Sequence, residues 1–229
     1  MPIGFGFSAE WIALMIVTVA LGLITQGFIK SSFRKWSKVP VTSGMNGAQV
    51  AQTILNAHGL GSVEIRQVGG KLSDNYDPRT KVLNLSEGVY GVSSVAAAGV
   101  AAHEAGHAVQ DAKNYVWGSV RTSLVPVANI GSSASWVLIF AGFWIQISGL
   151  VWLGIAFYAV AVLFQIVTLP VEFDASRRAL TALEATHVMD EQQLAGARQV
   201  LTAAALTYVA AALIAALQLL YYIGLAGRD

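Results

Sequence analysis

The chain has 229 residues, 55% of them hydrophobic and 12% charged, and its mean hydropathy of +0.58 lies outside the soluble range, so it reads as an integral membrane protein. A net charge of +1 provides no clustered basic face, which excludes nucleic acid as a partner. The absence of cysteine removes disulfides, thiolate metal sites and thiol catalysis, and fits a reducing compartment.

After a short tail, an apolar run from about Ala9 to Ile29 has spanning length and carries only Glu10 near its start. It reads as an anchor rather than a cleaved signal, because Lys30, Arg34, Lys35 and Lys38 follow the run instead of preceding it. By the positive-inside rule these cations put the next segment in the cytoplasm and the N-terminus outside. Residues 1–30 are therefore expected to form the first transmembrane helix.

Residues 31–122 change to the pattern of a small α+β domain holding most of the chain's charge. Asn46 with Gln49 makes a capping-box pattern, and the helix through Val50, Ile54 and Leu55 is expected to stop near His58-Gly59. Strands are expected at Val63 to Val68, near Lys71 to Tyr76, and from Lys81 to Leu85, the last two joined by a turn at Asp77-Pro78-Arg79-Thr80. An exposed edge strand here can pair with an extended substrate through main-chain hydrogen bonds.

The densest chemistry follows in Val100-Ala-Ala-His-Glu-Ala-Gly-His-Ala-Val109, capped at Ser93 or Ser94 and free of proline for about twenty residues to Lys113. His103, Glu104 and His107 form an H-E-x-x-H sequence. Residues four apart share a helix face, so His103 and His107 can offer two imidazole nitrogens to one zinc ion, while Glu104, one step round, can serve a water there as general base. Zinc draws a bound water's pKa toward ~7, and the obvious reaction is attack on a peptide carbonyl. The rival reading of an ordinary buried helix leaves Glu104 as a costly buried carboxylate.

Residues 123–169 read as a transmembrane hairpin: apolar runs from about Leu124 to Ile145 and from Ser148 to Leu169, joined by uncharged residues. Pro126, Asn129 and Ser132, Ser133 and Ser135 make the first run less uniform, so its start can lie at the interface or line a wet cavity. The hairpin returns the chain to the side it left. Residues 170–199 are expected to hold the third-ligand helix and a polar linker, with Pro170 in a first helical turn, Glu172 and Ser176 on one face and Asp174 roughly opposite. Glu172 is the preferred third ligand, with Asp174 the alternative or else a hydrogen-bonding partner of a ligand. Residues 200–229 form the fourth span, whose many alanines suit close helix packing.

Several motifs in this order resemble the YugP-like membrane zinc metallopeptidases, also labelled neutral zinc metallopeptidases. They are Gly70-Lys-Leu-Ser-Asp-Asn-Tyr-Asp-Pro-Arg-Thr80, Val100-Ala-Ala-His-Glu-Ala-Gly-His-Ala-Val-Gln110, Leu124-Val-Pro-Val-Ala-Asn129, Leu169-Pro-Val-Glu-Phe-Asp-Ala-Ser-Arg-Arg178 and Ala203-Ala-Ala-Leu-Thr-Tyr-Val-Ala210. More distantly the layout is similar to the HtpX-type and CAAX-prenyl membrane proteases. The resemblance implies a mainly α membrane protein with about four transmembrane helices and a gluzincin-like zinc-peptidase domain. It implies His103, His107 and Glu172 as zinc ligands and Glu104 as catalytic base. Those proteases carry an aspartate four residues after the ligand glutamate, where this chain has Ser176; either its hydroxyl or Asp174 can take that part.

The function expected is a multi-pass cell-membrane endopeptidase with its catalytic domain in the cytoplasm, acting on peptide or membrane-protein substrates in contact with the bilayer, with room for a membrane-protein partner or an oligomer. Tyr76, Arg177 and Arg178 are the candidate oxyanion donors. The alternative is a membrane scaffold or partner-binding subunit with a structural zinc site, against which the carboxylate of Glu104 argues.

Overall fold

A computed structural model describes residues 8–227. The tail before residue 8 and the last two residues, counted above with the first and fourth spans, lie outside the described residues. The element order is α1 (Ala9–Trp36), α2 (Gly47–Ala57), β1 (Glu64–Val68), β2 (Asn75–Asp77), β3 (Val82–Ser86), α3 (Glu87–Tyr90), α4 (Val95–Ala112), α5 (Val116–Trp144), α6 (Ser148–Ala185) and α7 (Glu191–Ala226). The protein is thus mostly helical with a small sheet, and α1, α5, α6 and α7 are long and apolar enough to cross a membrane. All four helices overshoot the apolar runs that announced them, because helix continues into the polar ends while only the apolar stretch marks the lipid-compatible part.

The chain divides into two compact units, one of Met1–Thr25, Ser119–Leu169 and Thr207–Asp229, the other of Gln26–Gly118 and Pro170–Leu206. In the first, α5 and α6 form the expected hairpin. Gln146 takes a left-handed φ of 60° in its turn, and Ile147 N–H donates to Gly142 O at 2.9 Å. The two helices approach closely: a Cβ on Gly154 would lie 2.9 Å from Ile139 N, so a small residue is what permits the approach. Tyr158 on α6 donates its hydroxyl to Gln218 Oε1 on α7 at 2.6 Å, which satisfies two polar side chains within apolar stretches of the two helices.

The second unit has the larger core, built from α2, β3, α4 and parts of α1, α6 and α7. Helix α2 begins with the expected capping box, Asn46 Oδ1 accepting from Gln49 N–H and Gln49 Oε1 from Asn46 N–H, each at 3.0 Å. It ends at His58, whose Nδ1 lies 2.9 Å from Ile54 O. The sheet order is β1-β3-β2, with β1 parallel and β2 antiparallel to β3. Strand β3 is central and buried along most of its length, leaving β1 and β2 as edges.

Two local expectations need correction. The second strand does not start near Lys71: Gly70 (φ 98°) and Leu72 (φ 58°) turn the backbone, Ser73 Oγ donates to Gly69 O at 3.0 Å, and pairing begins only at Asn75. Asp77 then closes the hairpin, accepting from Arg79 N–H and Thr80 Oγ1, both at 2.9 Å. Pro170 does not open a helix either; it lies inside α6, which runs without a break from Ser148 to Ala185. Proline's fixed φ is a helical value and its cost is one lost hydrogen bond and a steric clash with the preceding turn, which a long, packed apolar helix absorbs.

Candidate metal centre

Helix α4 starts on Ser94, whose Oγ accepts from Ala97 N–H at 3.2 Å, and its alanines at 96–98, 101, 102, 105 and 108 are buried. Small side chains let neighbouring backbones close in. At Gly106 an added Cβ would stand 2.7 Å from Ala175 O of α6, a contact that only glycine allows. This approach sets the helix carrying His103 and His107 against the segment carrying Glu172.

The donor atoms converge there. Glu172 Oε2 lies 3.2 Å from His103 Nε2 and 3.6 Å from His107 Nε2, and one donor atom from each of the three residues lies within 4.8 Å of the others. The imidazoles meet edge to face, 4.7 Å between centroids. Ligands bonded at 2.0–2.1 Å to a tetrahedral zinc stand about 3.3 Å apart, so two nitrogens and a carboxylate oxygen at these spacings fit that ion. Burial works to lower the pKa of His107, but the carboxylate of Glu172, 3.6 Å from its Nε2, and the charge of Glu104 outweigh it and hold the imidazole above its ordinary range.

Asp174 is not part of this triangle. Its carboxylate is paired with Arg177 and, at 2.5 Å, with Arg178 Nε, and it accepts from Gln110 Nε2 at 2.9 Å. Ser176, on the Glu172 face of α6, lies with its hydroxyl 3.2 Å from His103 Nδ1. Both residues weighed as supports for the histidines therefore touch the site from behind: Ser176 directly, Asp174 through Gln110.

Glu104 is buried, and its Oε2 accepts the main-chain N–H of Tyr76 at 3.1 Å. The edge strand β2 thus turns a backbone donor toward the carboxylate beside the two histidines. The Tyr76 hydroxyl is turned elsewhere, donating to Asp111 Oδ2 at 2.7 Å, where Lys81 Nζ also binds at 2.5 Å. Burial and then Asp111 push the phenol's pKa up, keeping it neutral. All three candidate oxyanion donors are engaged in such pairs, Tyr76 with Asp111 and the two arginines with Asp174.

Sequence reasoning passed over Gln110, Asp111 and the N–H of Tyr76. Gln110 carried a usable signal, since it stands three residues after His107 on the same helix. Nothing local marked the other two, whose partners lie 28 and 35 residues away.

A membrane-embedded chain whose partly buried histidine pair meets a buried glutamate from a later helix has the makings of a metallopeptidase. The sequence profile of the family described as "Putative neutral zinc metallopeptidase" matches residues 11–227, and the chain belongs to that family. It is 42% identical over 221 residues to the "Putative membrane protease YugP" of Bacillus subtilis (strain 168), a match covering 96% of this chain and 98% of that one. No solved structure matches. Zinc is the metal of the family, and His103, His107 and Glu172 are a group able to hold it.

Proposed function

We propose that the chain is a zinc-dependent endopeptidase of the membrane that hydrolyses peptide bonds near the cytoplasmic face. In this reading His103, His107 and Glu172 hold the zinc, Glu104 is the general base, and the domain around them is gluzincin-like. The observation that carries it is the triangle of two Nε2 atoms and one carboxylate oxygen with a further buried carboxylate at the adjoining helix position. When bound, the metal would polarise the scissile carbonyl and acidify water near neutral pH. Glu104 then takes a proton from the attacking water and returns it to the leaving amine. A substrate in extended form pairs with the edge strand β2 through main-chain hydrogen bonds.

The cytoplasmic side rests on Lys30, Arg34, Lys35 and Lys38, which follow the apolar part of α1. The deciding experiment compares purified protein with Glu104→Gln on a quenched-fluorescence protein substrate, with zinc content measured alongside. The variant should keep its zinc and lose hydrolysis by about a thousandfold or more, on the scale of general-base catalysis. Hydrolysis at the unaltered rate would remove Glu104 from the mechanism.

A further inference from the structure

We infer that Gln110 is a positioning residue that fixes the tautomer of His107 and ties that histidine to the backbone beside Glu172. The inference rests on the zinc site proposed above, but its first test does not require metal.

Gln110 is only 3% exposed, so its amide must find partners within the protein. Its Nε2 donates to Val171 O at 2.8 Å and to Asp174 Oδ2 at 2.9 Å. A peptide carbonyl has no proton to give, and neither has a carboxylate paired with Arg177 and Arg178. Both amide hydrogens are therefore committed, and the reversed amide would set its oxygen against two buried acceptors. That fixes Oε1 toward His107 Nδ1, 3.0 Å away.

An amide oxygen only accepts, so Nδ1 of His107 must carry the hydrogen. A neutral imidazole protonated at Nδ1 presents its lone pair at Nε2, which is the atom facing Glu172. Whenever it is neutral, the ring is thus held in metal-binding form before any metal arrives. His103 is held differently. Its Nδ1 faces the Ser176 hydroxyl at 3.2 Å, and a hydroxyl can donate or accept, so this contact orients the ring without choosing its tautomer.

The same amide does a second thing. Val171 immediately precedes Glu172, so one side chain on α4 grips a ligand histidine with its oxygen and the neighbour of the ligand carboxylate with its nitrogen. The charged end of this chain, Asp174 with its arginines, reaches His107 only through a neutral amide. Gln110 thereby orients the ring without placing a second full negative charge against it.

The test uses full-length, metal-free protein with nitrogen-15-labelled histidine in detergent, at alkaline pH where imidazoles are neutral, read by multiple-bond proton–nitrogen correlation. His107 should show hydrogen at Nδ1 in the unaltered protein. In Gln110→Met, which preserves length but offers no oxygen, it should shift toward the Nε2-protonated form that free histidine favours. Zinc affinity, measured by competition with a chromophoric chelator, should fall about 10- to 100-fold in the same variant and by less in Ser176→Ala. The exchanged pair Gln110→Glu with Asp174→Asn keeps an acceptor at His107 and a donor–acceptor contact behind it. It should retain Nδ1 protonation and most of the affinity, and it carries the test if Gln110→Met fails to fold. A His107 tautomer unchanged by Gln110→Met, or lost in the exchanged pair, overturns the inference. If the zinc reading alone is wrong, His103→Ala and Glu172→Ala will bind zinc like the unaltered protein, while the tautomer measurement still decides the role of Gln110.

Discussion

The two units bury their apolar residues to opposite extents. In the unit of Gln26–Gly118 and Pro170–Leu206, Val50, Leu55, Leu83, Leu85, Val95 and the α4 alanines at 96–98, 101, 102 and 105 are fully enclosed. In the other, Ile16, Ile130, Val137 and Leu220 are each more than 60% exposed, and among the described residues the buried cluster is a small one of Ile139, Phe143, Val151, Ile155 and Ala226. Leaving such a side chain in water forgoes about 1.5–3 kcal/mol, so a surface of this kind implies a different solvent, the hydrocarbon of a bilayer. One unit is held by a dry interior, the other by lipid outside and small-residue contact within. The metal-binding group lies wholly in the first, where buried polar atoms can be held in fixed hydrogen-bonded positions.

That contrast can be broken most sharply at the site. Glu172→Ala should lower zinc affinity by more than about a hundredfold, and Asp174→Ala, acting only through Gln110, by roughly tenfold, as removal of a ligand's supporting partner typically does. Isothermal titration of metal-free protein measures both; the reverse order would transfer the ligand role to Asp174. Packing gives the next effect. Leu83→Ala should cost about 2–5 kcal/mol of stability, whereas Ile16→Ala, at a position 64% exposed, should cost less than about 1 kcal/mol in nanodiscs. Equal losses would mean that the apolar surface of α1 is covered by protein.

A proton-linked effect should follow. Zinc needs the unprotonated imidazole, and Glu172 with Glu104 hold the His107 pKa above its usual value in metal-free protein. Lowering the pH should therefore weaken zinc binding, beginning at a higher pH than for free histidine, by about tenfold per pH unit for each proton displaced. Glu104→Gln should move the onset downward, because it removes one of the charges that raise the pKa. The smallest perturbation tests the side of the membrane: in this cysteine-free chain, single cysteines at Ser73 and Thr186 should leave stability within about 0.5 kcal/mol. Both should react with an impermeant maleimide from the same face, and labelling from opposite faces would break the hairpin argument.

Local chemistry made some of this legible and distance hid the rest. The capping box at Asn46, the Ser94 cap and the i, i+4 pairing of His103 with His107 depend on residues within one or two helical turns, so they could be read directly. Glu172 required the return of the α5–α6 hairpin, which the two apolar runs announced. Pro170 misled because its usual place at helix starts is a preference, overridden here by a helix continuous on both sides. The grip of Gln110 on Val171 and Asp174 joins residues 61 and 64 positions apart, and a glutamine on an alanine-rich helix gives no sign of such partners.

The contact at Gly106 has a consequence for how the site ages. Where two helices are spaced by side chains, each exchange of a leucine for a valine resets the gap. Here one helix rests on a carbonyl oxygen of the other, so the spacing is set by peptide groups that no substitution alters. Apolar side chains elsewhere along this helix pair therefore do not set the gap, and a methyl at position 106, 2.7 Å from the Ala175 carbonyl oxygen, would force the two helices apart.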